Sequence, residues 1–190
     1  MKGMKYHDYI WDLGGTLLDN YETSTAAFVE TLVQYGIEQE HDRVYEALKV
    51  STAFAIEKFA PDIEDFLENY KENEARELEH PVLFEGIPEL LKDISDKGGR
   101  HFLASHRNDQ VLELLAKTQI ANYFTEVVTA SSGFKRKPDP ESMIYLRDKY
   151  HITSGLVIGD RNIDIEAGEA AGLDAYLFNN VATLRQAIDM

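Results

Sequence analysis

LVIGDRNIDIEAGEAAGL, residues 156–173, changes its pattern partway along. Leu156, Val157 and Ile158 form a nearly continuous apolar run, the mark of a strand buried on both faces, and Ile163 to Ala171 reads as a helix. Asp160 stands at the junction, with Asp164 four residues on. A strand that delivers a carboxylate into a turn and then a helix is the repeating unit of a doubly wound α/β sheet.

Working outward, four more apolar runs read as strands: YIWDL ending near Leu13, HFLAS ending at Ser105, EVVTA ending near Ala130 and AYLFN ending at Asn179. Helical patterns separate the later ones, at Pro88 to Lys97 (with Leu90, Leu91 and Ile94 on one face), Asp109 to Lys117 and Pro140 to Tyr150. The expectation is a mainly parallel five-stranded sheet. Residues 20–83 differ, with no convincing strand and four helical segments: Glu22–Tyr35, Asp42–Val50, Thr52–Phe59 and Ile63–Glu79. Phe28, Leu32, Val33 and Tyr35 give the first an apolar face. An all-α insert after the first strand reads as a lid over a core built from residues 1–19 and 84–190; the alternative is a helical extension of the same core.

Lys+Arg number 19 against 34 Asp+Glu, a net charge of −15, so nucleic acid and anionic membranes are disfavoured as partners. The absence of cysteine excludes disulfides, thiolate metal sites and cysteine nucleophiles. MKGMKYHDYIWDL lacks an apolar signal core, and no stretch approaches the ~20 apolar residues of a membrane span, so a cytoplasmic location is the expectation.

Ligands of open α/β sheets bind beyond the carboxyl ends of the strands. Asp12 ends the first strand, Ser105 the second and Asp160 the fourth, while Lys137 follows the third in GFKRKPDP. Singly, each has a plain structural explanation: Asp12 as a turn residue, Ser105 and Asp160 as helix N-caps, Lys137 as a solvated lysine. Together on one rim they describe phosphoryl transfer. Asp12 would be a carboxylate nucleophile. Asp160 and Asp164, placed on one face of a helical turn, suit Mg²⁺. Ser105 would donate to phosphoryl oxygens, and Lys137 would neutralise charge.

These residues resemble the haloacid dehalogenase-like superfamily, most closely its phosphoglycolate-phosphatase-like branch with a helical cap. WDLGGTLLDN (residues 11–20) is similar to the first motif, HFLASHR to the second, KRKPDPE to the third and GDRNID to the fourth, while FEGIPELLKDISDKGGR resembles the return from cap to core. The resemblance implies Asp12 as nucleophile, with a Mg²⁺ site formed by Asp12, Asp160, the main-chain carbonyl of Gly14 and, in support, Asp164. It implies phosphate binding by Thr16, Ser105, His106 and Lys137, a small phosphorylated substrate, and a monomer or homodimer.

One position departs from the family. Where a second aspartate would act as general acid/base, this chain has Gly14. Three readings follow. The chain is a phosphatase favouring leaving groups that need little protonation, or recruiting a substitute such as His106 or a cap carboxylate. It cleaves another bond, as phosphonoacetaldehyde hydrolases do with a cap lysine, for which Lys49, Lys58 and Lys71 are available. Or it binds phosphate esters without turnover, as a regulator. A sugar-phosphate mutase is disfavoured, because both of its proton transfers need the missing group.

Overall fold

The computed structural model describes residues 3–190. The chain divides into two compact units, one of residues up to Leu18 together with Leu83–Met190, the other Asp19–Val82.

The first unit is built on β1 (Asp8–Trp11), β2 (Arg100–Ala104), β3 (Phe124–Val128), β4 (Gly155–Gly159) and β5 (Asp174–Leu177). They form one parallel sheet in the order β3-β2-β1-β4-β5. Trp11 pairs with Leu103 on one side and Ile158 on the other, which aligns the ends of the three central strands. Side chains alternate between two cores. Tyr9, Trp11, Leu103, Leu156 and Ile158 pack on one face, against Ile87, Leu90, Leu91 and Ile94 of α5 (Ile87–Asp96), Val111 of α6 (Gln110–Lys117) and Leu184 of α9 (Val181–Ala187). Ile10, Phe102, Ala104 and Val157 pack on the other, against Met143 and Leu146 of α7 (Glu141–Lys149) and Ala167 of α8 (Asn162–Ala170). Burial on both faces is why the three central strands read as unbroken apolar runs, and doubly wound α/β is the observed fold. Each strand stops one or two residues before its apolar run does, which leaves Asp12, Ser105 and Asp160 just past the sheet.

The second unit consists of α1 (Asn20–Gln34), α2 (His41–Val50), α3 (Thr52–Phe59) and α4 (Phe66–Glu77) around a core of Phe28, Leu32, Val44, Phe59, Phe66 and Tyr70. Asp19 caps α1 by accepting the Glu22 N–H, and Ser51 caps α3 by accepting that of Phe54. Val33, expected on the apolar face of α1, is 58% exposed. It lies five residues from Phe28, more than a quarter-turn off the buried stripe, and Thr31 is buried instead. α9 went unread in the sequence despite an Asn180 cap on Thr183 N–H and Val181, Leu184 and Ile188 at helical spacing. No helix among the described residues is long and apolar enough to cross a membrane.

Candidate active site

Four loops, one beyond the end of each of β1, β2, β3 and β4, bring the expected residues together. Asp12 donates its N–H to the Ile158 carbonyl at 2.9 Å, tying the turn after β1 to β4. The chain then folds back tightly, with the Leu13 carbonyl accepting the N–H groups of Leu17 and Leu18. Gly15 sits in this turn at φ +81°, and a Cβ there would lie 2.1 Å from Asp160 Oδ2. Only glycine satisfies both conditions. Gly159 is excluded from bearing a side chain for a similar reason, because its Cβ would lie 2.3 Å from that of Asp164. Gly15 and Gly159 therefore clear room for two carboxylates, a steric role that sequence reasoning missed.

Asp160 and Asp164 do not meet along one helical turn as expected. Asp160 lies in the turn before α8, whereas Asp164 is its third residue and reaches back to accept the Arg161 N–H at 3.3 Å. Neither Ser105 nor Asp160 serves as a helix N-cap; α6 and α8 begin later, and Ser105 Oγ accepts the Arg107 N–H at 3.2 Å. That bond engages a lone pair and leaves the hydroxyl proton free to donate. Thr16 is fully buried, and its Oγ1 has no partner among the described residues.

Lys137 is buried, with Nζ 3.0 Å from Asp12 Oδ1 and 2.6 Å from Asp164 Oδ1. Burial by itself would lower its pKa, but the charges of Asp12 and Asp164 outweigh that and hold the ammonium above its ordinary value. A single lysine does not balance the acids. Asp12, Asp160 and Asp164 each present an oxygen within 4.8 Å of the others. Burial, then the Asp12 charge, pushes both the Asp160 and Asp164 carboxyls above the usual carboxylate range. Asp160 Oδ1 is buried without a hydrogen-bond partner among the described residues. Crowded carboxylates with an unsatisfied buried oxygen are a donor set that fits a hard divalent cation such as Mg²⁺.

His106 is half-buried beside this cluster, and its Nε2 accepts the backbone N–H of Lys137. Lys49, Lys58 and Lys71 are all exposed, and Lys49 and Lys71 lie 3.9 and 3.0 Å from Glu46 and Glu74. None has the desolvated setting that activates a Schiff-base lysine.

The sheet and its rim define the class: a Rossmann-like α/β fold with its polar cluster at the carboxyl ends of the central strands, where such enzymes work. A model of the haloacid dehalogenase-like hydrolases matches residues 9–178, and the chain belongs to that family. A crystal structure of a hydrolase from Streptococcus pneumoniae TIGR4 is 78% identical, with a TM-score of 0.95 over 98% of this chain and 100% of that one. A phosphoglycolate phosphatase of Aquifex aeolicus is 26% identical over 178 residues, 88% of this chain and 82% of its own length. A fructose-1-phosphate phosphatase of Escherichia coli K12 is 27% identical over 180 residues, 90% of this chain and 95% of its own.

Proposed function

We propose that the chain is a Mg²⁺-dependent phosphatase that acts on a small phosphate monoester through an aspartyl-phosphate on Asp12, with Gly14 in place of the general acid/base. The observation that carries this reading is Lys137 Nζ shared between Asp12 and Asp164 beside the unpartnered oxygen of Asp160. An anionic nucleophile attacks an anionic phosphoryl group only where positive charge is held ready, and this cluster holds one cation and fits a second. The phosphatases among its relatives, which share most of their length with this chain, support a small phosphorylated substrate. Phosphoglycolate is the first one to try. The helical unit Asp19–Val82 is the proposed cap, which selects the organic half of that substrate.

Asp12, Asp160 and the Gly14 carbonyl would hold the ion, with Asp164 in support; once bound, it supplies charge that draws the phosphoryl oxygens towards the nucleophile. An Asp12 oxygen attacks phosphorus while the bond to the leaving oxygen breaks. The proton of Lys137 not engaged by Asp12 or Asp164, and the free hydroxyl proton of Ser105, are donated to the phosphoryl oxygens. Position 14 offers no proton to the departing oxygen, and later no base to the water that must cleave the acyl phosphate. An aryl leaving group bypasses the first deficit but not the second.

p-Nitrophenyl phosphate with Mg²⁺ tests this. The expected result is a burst of ~1 equivalent of p-nitrophenolate per chain followed by slow turnover, because hydrolysis of the intermediate becomes limiting. Gly14→Asp should abolish the burst and raise the steady rate by ~10²–10⁴-fold, the usual contribution of a positioned acid/base. Asp12→Asn should lose both phases. An Asp12→Asn protein as active as the parent, or a parent that binds the ester and never releases product, would overturn the reading.

A further inference from the structure

Lys137 is held at two ends. Its ammonium is fixed by Asp12 and Asp164. Its backbone N–H is taken by His106 Nε2, on the loop that follows β2. The rest of the lysine loop is held by two further bonds: Glu141 Oε2, at the start of α7, accepts the Lys135 N–H at 2.8 Å, and within the loop the Arg136 carbonyl accepts the Asp139 N–H at 3.0 Å. The His106 loop is itself anchored to the end of β3, through Ser105 N–H to the Val128 carbonyl and Ala130 N–H to the Arg107 carbonyl. The ring is therefore an imidazole strut between two loops that carry Ser105 and Lys137.

A nitrogen that accepts an N–H has no proton of its own, so this bond fixes the neutral tautomer with the proton on Nδ1. Burial, then the charges of Lys137 and Arg136, lower the His106 pKa, with Asp12 opposing them, which is consistent with an unprotonated Nε2.

We infer that His106 is a positioning residue, whose Nε2 sets the backbone of Lys137 and so aims its ammonium at the nucleophile, rather than a replacement for the proton donor missing at position 14. The inference rests on the proposed phosphatase site, in that Lys137 is there the group that meets the phosphoryl oxygens. It separates two roles that a histidine beside a deficient active site would otherwise share: an acid/base must exchange a proton, whereas a strut must only keep a lone pair in place.

Glutamine separates them experimentally, since its amide oxygen extends about as far as Nε2 and accepts a hydrogen bond but does not titrate. His106→Ala should slow the p-nitrophenolate burst by about 10-fold or more, in line with the sensitivity of transfer rates to small misplacements. His106→Gln should recover most of that loss. ¹⁵N spectra of the parent should show His106 Nε2 unprotonated and Nδ1 protonated. The Lys137 amide resonance should shift in His106→Ala and return towards the parent position in His106→Gln. A glutamine variant as slow as alanine with a parent-like Lys137 amide, or a protonated Nε2, would overturn the inference. Absence of any burst in the parent would count instead against the phosphatase reading, and the nitrogen spectra would still decide the role of His106.

Discussion

Two polar clusters lie on neighbouring residues of β1 and its exit, and they are built in opposite ways. At Trp11, the indole N–H donates to His101 Nδ1 at 3.0 Å, and His101 Nε2 donates to the Leu91 carbonyl at 3.0 Å. Both residues are fully buried, uncharged and paired. One residue further on, Asp12 enters a cluster with three carboxylates, one lysine and a buried oxygen left without a partner. A polar network that closes on itself stabilises the fold, whereas one left open destabilises it until something arrives. The difference supports the proposed site on physical grounds, without reference to any relative.

The largest test of this contrast is His101→Ala. It leaves the Trp11 donor and the Leu91 acceptor unpaired and opens a cavity, so stability should fall by about 3–4 kcal/mol in denaturant unfolding, with burst kinetics unchanged in the folded fraction. An equal loss of burst rate would mean that the closed cluster also serves the chemistry.

The pH dependence sharpens the same point. Burial holds the His101 pKa down at about 4. A free imidazole titrates near 6.5, so between these values the unfolded chain binds a proton that the folded chain refuses. Stability from this group is therefore complete above about pH 6.5 and is lost as pH falls towards 4, by about 3 kcal/mol in all. Asp160 works in the reverse direction. Its folded pKa is raised, so without a cation its contribution to stability grows as pH falls and is lost as pH rises through that value. His101→Gln should flatten the acid decline, and Asp160→Asn should steepen it.

Asp160→Asn removes charge from the open cluster. In cation-free buffer its melting temperature should rise by roughly 2–4 °C, the shift that ~1 kcal/mol produces in a domain of this size, and the stabilisation by added Mg²⁺ should disappear. A lower melting temperature would show that the acids are already satisfied. The smallest effect belongs to a polar contact outside both clusters. Lys92 and Asp96, paired at 2.5 Å on α5, are both more than half exposed, and Lys92→Ala should leave the melting temperature unchanged within error.

The contrast also marks what the sequence could reveal. Strands buried on both faces write their position as apolar runs, and whatever ends such a run stands at the rim, so Asp12, Ser105 and Asp160 were legible as a group, with Lys137 and Asp164 in the segments that follow. Their bonding was not. The N–H groups of Arg107, Arg161 and Lys137 are as much a part of the site as the side chains they serve, and no residue type announces them. His101 was unreadable for another reason. Its partner lies 90 residues away and faces it only because β1 and β2 pair in a register that brings Trp11 opposite Leu103. The spacing of Asp160 and Asp164 misled in detail because Asp160 stands in the turn before α8 and only Asp164 lies on the helix.

The entry and exit of the helical unit lead to a different point. Leu18 and Leu83 form an isolated antiparallel bridge, and one residue further out the Asp19 N–H bonds the Val82 carbonyl at 2.8 Å. The insert thus leaves and rejoins the sheet-bearing unit through neighbouring backbone. In evolutionary terms such a segment is a cassette: it can lengthen, shrink or be exchanged while the strands that host it keep their register, because its ends already meet. A lineage can then rewrite the helical unit while inheriting the sheet and its rim intact.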